Sequence, residues 1–134
     1  MNEGATSTSG LILIVEDNDK NLKLVRDLLQ FRGFRTIEAT TAEDGIALAH
    51  ERLPDLVLMD MRLPGMDGMA ALEALRADPA TAHIPVVAVT ASVMPQERDR
   101  FTSAGFDGFI EKPIDVRAFP GQVAAYLEAG RRPA

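Results

Sequence analysis

Short apolar runs alternate five times with segments of helical hydrophobic spacing. The first, third and fourth runs predict buried strands, the alternation of the second is typical of a strand nearer a sheet edge, and the fifth predicts a short strand. The predicted strands cover residues 11–17, 34–40, 55–60, 84–91 and 106–113. The predicted helices cover residues 18–33, 41–54, 66–78, 95–105 and 115–129. Because parallel strands need crossovers, this order predicts a doubly wound α/β fold, a five-stranded parallel sheet with helices on both faces.

Residues that cap helices stand at the predicted helix starts. Asn18 or Asp19 can cap the first helix, and Asp67 can cap the third. Thr41 stands at capping-box spacing from Asp44 at the start of the second helix. The capping signals therefore agree with the hydrophobic periodicity about where these helices begin.

The last two predicted helices have unusual sequences. In the last one, Asp115 resembles an N-cap, but Pro120 and Gly121 follow it, and a proline inside a helix removes a backbone hydrogen bond and clashes with the preceding turn. We therefore expect either a distorted first turn or a regular helix that begins near Pro120. The fourth helix, residues 95–105, has few apolar residues and is expected to dock loosely.

The composition narrows the possible classes of function. The 134 residues carry a formal net charge of −6, which disfavours direct nucleic-acid binding, and the lack of cysteine excludes disulfides and thiolate metal sites. No apolar run is long enough to span a membrane and no secretory-signal pattern is visible, so we expect a cytoplasmic protein without membrane insertion. We expect a flexible tail over 1–10, one domain over 11–129 and a C-terminal tail over 130–134.

Polar residues stand where four of the predicted strands end. In chain order they are Glu16 and Asp17 at the end of the first strand, Asp60 at the end of the third, Thr90 at the end of the fourth and Lys112 at the end of the fifth. Because the carboxyl ends of parallel strands lie at one edge of the sheet, these side chains are expected to converge in one crevice. Each alone could be a helix cap, a turn residue, a strand residue or a surface lysine, but their combination favours a shared chemistry.

That chemistry is phosphoryl transfer assisted by Mg²⁺. Neighbouring carboxylates repel one another, and one lysine cannot neutralise three of them, whereas Mg²⁺ favours carboxylate oxygens together with an incoming phosphate. An aspartate oxygen could then attack phosphorus in line, while Lys112 and the Thr90 hydroxyl stabilise the phosphoryl oxygens. Asp60 is the best nucleophile candidate, because its strand is central and acids flank it.

Four motifs in this order and spacing resemble those of response-regulator receiver domains of the CheY-like superfamily. They are IVEDN at 14–18, LVLMDMRLPGMDG at 56–68, VVAVTA at 86–91 and GFIEKP at 108–113. The resemblance covers nearly the whole chain between the two tails, and it extends to the small single-domain regulators of the DivK type. It implies the flavodoxin-like strand order 2-1-3-4-5.

The resemblance implies a phospho-acceptor and a metal site. Asp60 would accept the phosphoryl group and contact the metal, Asp17 would be a direct Mg²⁺ ligand, and Glu16 would act mainly through metal-bound water. Family members often carry aspartate at the position of Glu16. The backbone carbonyl of Arg62 would be a further ligand. The Arg62 side chain, with Ser92 on the other side of the phosphoryl group, would tune the lifetime of the acyl phosphate.

The resemblance also implies a phosphoryl pocket and a switch. Thr90 and Lys112 would bind the phosphoryl group, and the small Ala91 would leave room for the donor. Phe109 would be the aromatic switch, moving inward as Thr90 shifts; many family members have tyrosine there, so burial of this ring would depend on packing alone. A cis peptide bond between Lys112 and Pro113 is also implied.

The implied function is a phosphoryl-accepting switch of a two-component or phosphorelay system that turns over no external substrate. A sensor histidine kinase or a histidine phosphotransfer protein would donate the group. The helix 4–strand 5–helix 5 face of a monomer or weak dimer would contact a downstream protein target. The alternatives are a receiver module excised from a larger regulator or hybrid kinase, and a pseudo-receiver that binds partners without phosphorylation.

Two other classes fit the residues less well. Hydrolases of the haloacid-dehalogenase type place a second aspartate two residues after the nucleophile, where this chain has Arg62. They also carry a cap domain, for which the predicted elements leave no room. P-loop and dinucleotide sites require GxxxxGK[ST] or GxGxxG after the first strand, and neither motif occurs there.

Overall fold

The computed structural model describes residues 10–63, 65–91 and 94–130. Five strands alternate with five helices in this part of the chain. They are β1 (Leu11–Val15), α1 (Asp19–Phe31), β2 (Arg35–Ala39), α2 (Ala42–Arg52), β3 (Leu56–Asp60), α3 (Gly68–Ala77), β4 (Val86–Thr90), α4 (Pro95–Ala104), β5 (Gly108–Glu111) and α5 (Phe119–Ala129). Among these described helices, none is long and apolar enough to cross a membrane. The predicted tails, apart from Gly10 and Gly130, lie outside the described residues, and the domain boundaries stay a prediction.

All five strands are parallel, in the order β2-β1-β3-β4-β5. Every residue of β1, β3 and β4 is buried, whereas β2 at the sheet edge is mostly part-exposed. The predicted fold class, the strand order and the edge position of the second strand are therefore confirmed. The strand order reverses at β1 and β3, and a crevice opens beyond the carboxyl ends of these neighbouring strands.

The core has two halves, one on each face of the sheet. One half packs α2, α3 and α4 against the sheet, and the other packs α1 and α5 against the opposite face. Alternate strand residues enter opposite halves: Val57 and Met59 enter the first, and Leu56 and Leu58 enter the second. A strand buried on both faces is fixed in position, so the residue at its end is also fixed.

Side chains cap the first three helices. Asn18, Thr41 and Asp67 each accept a hydrogen bond from the backbone amide three residues further on, at 3.0, 3.1 and 3.0 Å. Of the two candidates for α1, the cap is thus Asn18, while Asp19 occupies the first turn. The predictions for α2 and α3 are confirmed.

The last helix begins later than the N-cap signal suggested. Asp115 accepts hydrogen bonds from the amides of Arg117 and Ala118, at 3.0 and 3.2 Å, in a turn that precedes α5. Asp115 is therefore not the helix N-cap that it resembles in the sequence. Of the two expected outcomes, a regular helix beginning near Pro120 is confirmed by the start of α5 at Phe119. Proline is tolerated in a first turn, because the backbone amide it lacks has no partner there.

Two other segments bear on the site. β1 ends at Val15 and β5 at Glu111, so Glu16, Asp17 and Lys112 lie just beyond their strands rather than within them. In α4, all of whose residues are described, Phe101 is the buried residue. This agrees with the expected loose docking of α4.

Candidate functional site

Three carboxylates meet at the carboxyl edge of the sheet. Val15 pairs in register with Met59, so Glu16 follows β1 beside Asp60 at the end of β3. One carboxylate oxygen each from Glu16, Asp17 and Asp60 lies within 4.8 Å of the other two. Glu16 and Asp60 are only 4% and 3% exposed, whereas Asp17 is exposed. The cluster is therefore buried where Glu16 and Asp60 lie and open to solvent at Asp17.

The ammonium of Lys112 is the counter-ion of the buried pair. Its nitrogen lies 3.1 Å from Glu16 Oε1 and 3.3 Å from Asp60 Oδ1. The Lys112 backbone amide donates to the Thr90 carbonyl at 2.8 Å, which holds the residue against β4. The peptide bond between Lys112 and Pro113 is cis, as the resemblance implies.

Backbone amides from the flanking loops also contact the two buried acids. The Arg62 amide donates to Asp60 Oδ1 at 3.0 Å, and the Asn18 amide donates to Glu16 Oε2 at 3.1 Å. Burial, followed by the charge of Asp60, raises the pKa of Glu16, while the Asn18 amide and Lys112 act against this increase. The metal-free site thus holds Glu16 in an environment that penalises its charge.

The donor set fits a hard divalent cation. Carboxylate oxygens are the ligands that Mg²⁺ prefers, and Mg²⁺ tolerates few protein ligands because it keeps several waters. Within this described cluster, one ammonium faces three carboxylates, which leaves negative charge that a divalent ion would neutralise. The open side next to Asp17 provides access.

The neighbouring strands bring the remaining predicted site residues to the same edge. Asp60 pairs with Val89, so the buried Thr90 ends β4 one strand away from Asp60. Ala91 is exposed and, with Lys112, lines a surface cavity of about 370 Å³ that also contacts α1. Ser92 lies outside the described residues, so its tuning role stays a prediction.

Phe109 lies between α4 and α5. Its ring is partly buried, with its centroid 6.2 Å from that of Phe101 and the Arg98 guanidinium 5.9 Å above it. Its backbone amide and carbonyl both contact the hydroxyl of Tyr126 on α5. Sequence reasoning missed Tyr126 and Arg98, because neither stands at a strand end or in a motif.

The family model described as the response regulator receiver domain matches residues 12–124. The chain belongs to this family. Its receiver domain is 40% identical over 116 residues to the polar-differentiation response regulator DivK of Brucella ovis, covering 87% of this chain and 94% of that protein. The resemblance to receiver domains that the four motifs indicated is therefore confirmed.

Solved structures show the same receiver architecture. The receiver domain of the sensor histidine kinase PA1611 from Pseudomonas aeruginosa PAO1 superposes with a TM-score of 0.81 at 27% identity, covering 90% of this chain and 98% of that one. That structure has a magnesium ion coordinated in its active site cleft. The chemotaxis protein CheY4 of Vibrio cholerae, at 20% identity, shares the fold with a TM-score of 0.82 over 87% of this chain and 98% of its own.

Proposed function

We propose that this receiver domain is a phosphoryl-accepting switch in which Asp60 takes the phosphoryl group from a phosphohistidine. The observation that carries the proposal is the contact of one ammonium, that of Lys112, with both Glu16 and Asp60 beside the exposed Asp17. Such an arrangement places a nucleophile, a cation for the phosphoryl oxygens and a set of metal ligands in one crevice.

Mg²⁺ is the proposed cofactor, held by Asp17 and Asp60, with Glu16 acting through water and the Arg62 carbonyl as a further ligand. When bound, it supplies positive charge that lets an anionic donor approach the acids and stabilises charge on the transferred group. The magnesium ion in the related Pseudomonas aeruginosa receiver domain supports this choice.

The protein's own groups perform the transfer. A carboxylate oxygen of Asp60 forms the new O–P bond as the N–P bond of the donor breaks, and the released imidazole keeps the electron pair and takes up a proton. The Lys112 ammonium lies close enough to Asp60 to contact the transferred group, and Thr90 would donate its hydroxyl hydrogen to a phosphoryl oxygen. The buried β3 keeps Asp60 fixed, which reduces the cost of orienting the nucleophile.

The proposed donor is a sensor histidine kinase or a histidine phosphotransfer protein, and the proposed output is contact with a downstream protein in the cytoplasm. The domain would catalyse its own phosphorylation and dephosphorylation and no other reaction, as a monomer or a weak dimer. α4, β5 and α5 would form the output face, with Phe109 as the switch. The shallow burial of α4 supports this, because weakly packed elements shift at low free-energy cost.

Intact-mass analysis after incubation with Mg²⁺ and acetyl phosphate tests the proposal. Wild type should gain one phosphoryl group, Asp60→Asn should gain none, and Asp99→Asn, a matched change on the exposed face of α4, should behave as wild type. An adduct that persists in Asp60→Asn would contradict Asp60 as acceptor. No adduct on wild type would favour the pseudo-receiver alternative.

A further inference from the structure

Tyr126 on α5 holds the backbone of Phe109 on β5. Its hydroxyl accepts a hydrogen bond from the Phe109 amide at 3.3 Å and donates one to the Phe109 carbonyl oxygen at 3.1 Å. β5 is the outermost strand, and its other side pairs with β4, so these two backbone groups lie on the open edge of the sheet. The hydroxyl therefore satisfies both groups where a further strand would otherwise pair.

Gly108 makes this approach possible. A Cβ atom at Gly108 would overlap the Tyr126 ring. Gly108 lies on the same face of β5 as Ile110, which packs in the half of the core that contains α5, whereas the ring of Phe109 packs in the other half. The tyrosine ring thus crosses the strand at its glycine and reaches the edge at the next residue.

α4 holds the same residue from the other side. Phe101 contacts the Phe109 ring with a tilt of 48°, and Arg98 adds a cation–π contact. Only three residues beyond Phe109, the Lys112 amide donates to Thr90 at the phosphoryl site. Phe109 is therefore a point where the site, α4 and α5 are all mechanically linked.

We propose that Tyr126 is a positioning residue whose hydroxyl couples α5 to β5, so that a shift of Phe109 also shifts α5. This inference rests on the proposed function, in which phosphorylation of Asp60 moves Phe109. Without the hydroxyl, α4 would still follow the phenyl ring, but α5 would lose its link to the strand. Tyr126 would then decide whether both helices of the output face respond to the signal.

Hydrogen exchange on the unphosphorylated protein tests the link itself. In Tyr126→Phe, which keeps the ring over Gly108, the Phe109 amide should exchange about fivefold faster, the effect of one net hydrogen bond. The amides of Asp107 and Lys112, which donate to β4, are internal controls and should not change. Gln122→Ala, one turn earlier on α5 and exposed, should leave Phe109 as in wild type. Unchanged exchange at Phe109 in Tyr126→Phe would overturn the inference.

Amide chemical shifts after phosphorylation with Mg²⁺ and acetyl phosphate test the coupling. Tyr126→Phe should still gain the phosphoryl group and keep the shift change at Phe109, but it should lose most of the changes along α5 that wild type shows. Equal α5 changes in the two proteins would rule out Tyr126 as the link. If wild type gains no phosphoryl group, the proposed function fails instead, and the exchange measurement still decides whether Tyr126 holds β5.

Discussion

The ammonium of Lys112 and the carboxylate of Glu16 form an ion pair of 3.1 Å across the carboxyl edge of the sheet. The two side chains are 21% and 6% exposed, so the pair is largely shielded from water. Loss of one partner from such a pair leaves an uncompensated charge, and its effect should be larger than that of an exposed pair.

Lys112→Met should slow phosphoryl transfer to Asp60 by about a hundredfold, because the variant removes a cation that would stabilise the transferred group. Its affinity for Mg²⁺ should be unchanged or higher, because a positive charge near the ligands is gone. Rates from intact-mass analysis and a Mg²⁺ titration followed by amide shifts measure the two effects. Lys23→Met, which breaks only an exposed pair with Asp27, is the control. Weaker Mg²⁺ binding in Lys112→Met would contradict the counter-ion role.

Glu16 should make the metal-free protein less stable as the pH rises. Burial and the charge of Asp60 raise its pKa above the ordinary value of 4.5, so the folded state holds the proton more tightly than the unfolded chain does. This contribution to stability is complete below pH 4.5 and is lost as the pH rises through the raised pKa. Urea unfolding without Mg²⁺ at several pH values, compared with Glu16→Gln, should show wild type losing stability relative to the variant over this range. If wild type instead gained stability relative to Glu16→Gln as the pH rises, the pKa of Glu16 would not be raised in the folded state.

Mg²⁺ should stabilise the folded protein, because the unfolded chain does not assemble the three carboxylates. At a hundred times the dissociation constant, one site adds about 2.7 kcal/mol to the free energy of unfolding. Asp17→Asn should lose most of this gain, and a chelator should abolish it in wild type. Thermal unfolding with and without Mg²⁺ measures the difference. Asp99→Asn on α4 should retain the full gain; if Asp17→Asn does too, Asp17 is not a ligand.

Arg76 and Asp107 should stabilise the fold without affecting the chemistry. Arg76 lies 2.9 Å from Asp107 Oδ2 and donates to the carbonyls of Ile84 and Gly105, at the edge of the sheet opposite the phosphoryl site. Asp107 is 4% exposed, so Arg76→Met should cost about 3–5 kcal/mol of unfolding free energy, because the variant removes the guanidinium that pairs with this buried carboxylate.

Urea unfolding of Arg76→Met measures that cost, and the double variant with Asp107→Asn should recover part of it. Folded Arg76→Met should accept a phosphoryl group as readily as wild type. A slower transfer in the folded variant would mean that this buried pair also influences Asp60.

The strand-end residues could be predicted because two local facts combine. Hydrophobic runs locate the strands, and parallel topology sends all their carboxyl ends to one edge, so Asp60, Glu16 and Lys112 were expected to lie together. The exact start of α5 could not be chosen from sequence, because Asp115 and Pro120 gave competing signals. The structure shows that Asp115 organises the preceding turn, while Pro120 lies in the first turn of the helix that begins at Phe119.

Contacts between distant side chains lay beyond sequence reasoning. In the sequence, Tyr126 is one of several apolar positions at helical spacing in the last helix, and nothing there indicates that its hydroxyl contacts a strand. A glycine in a strand, such as Gly108, can mark a bulge, a bend or a close approach. Arg76 and Asp107 likewise read as ordinary charged residues until the fold buries them. Such pairs depend on how helices sit on the sheet, which the pattern of one chain does not specify.

The contact between Tyr126 and β5 also gives the protein a built-in optical reporter. The chain has one tyrosine and no tryptophan, so ultraviolet emission excited beyond the phenylalanine band comes from that single ring. Its phenol contacts the strand that leads to Lys112, and its helix forms part of the proposed output face. Fluorescence of the unlabelled protein can therefore report changes at the contact between β5 and α5 in real time, without a dye or an engineered probe.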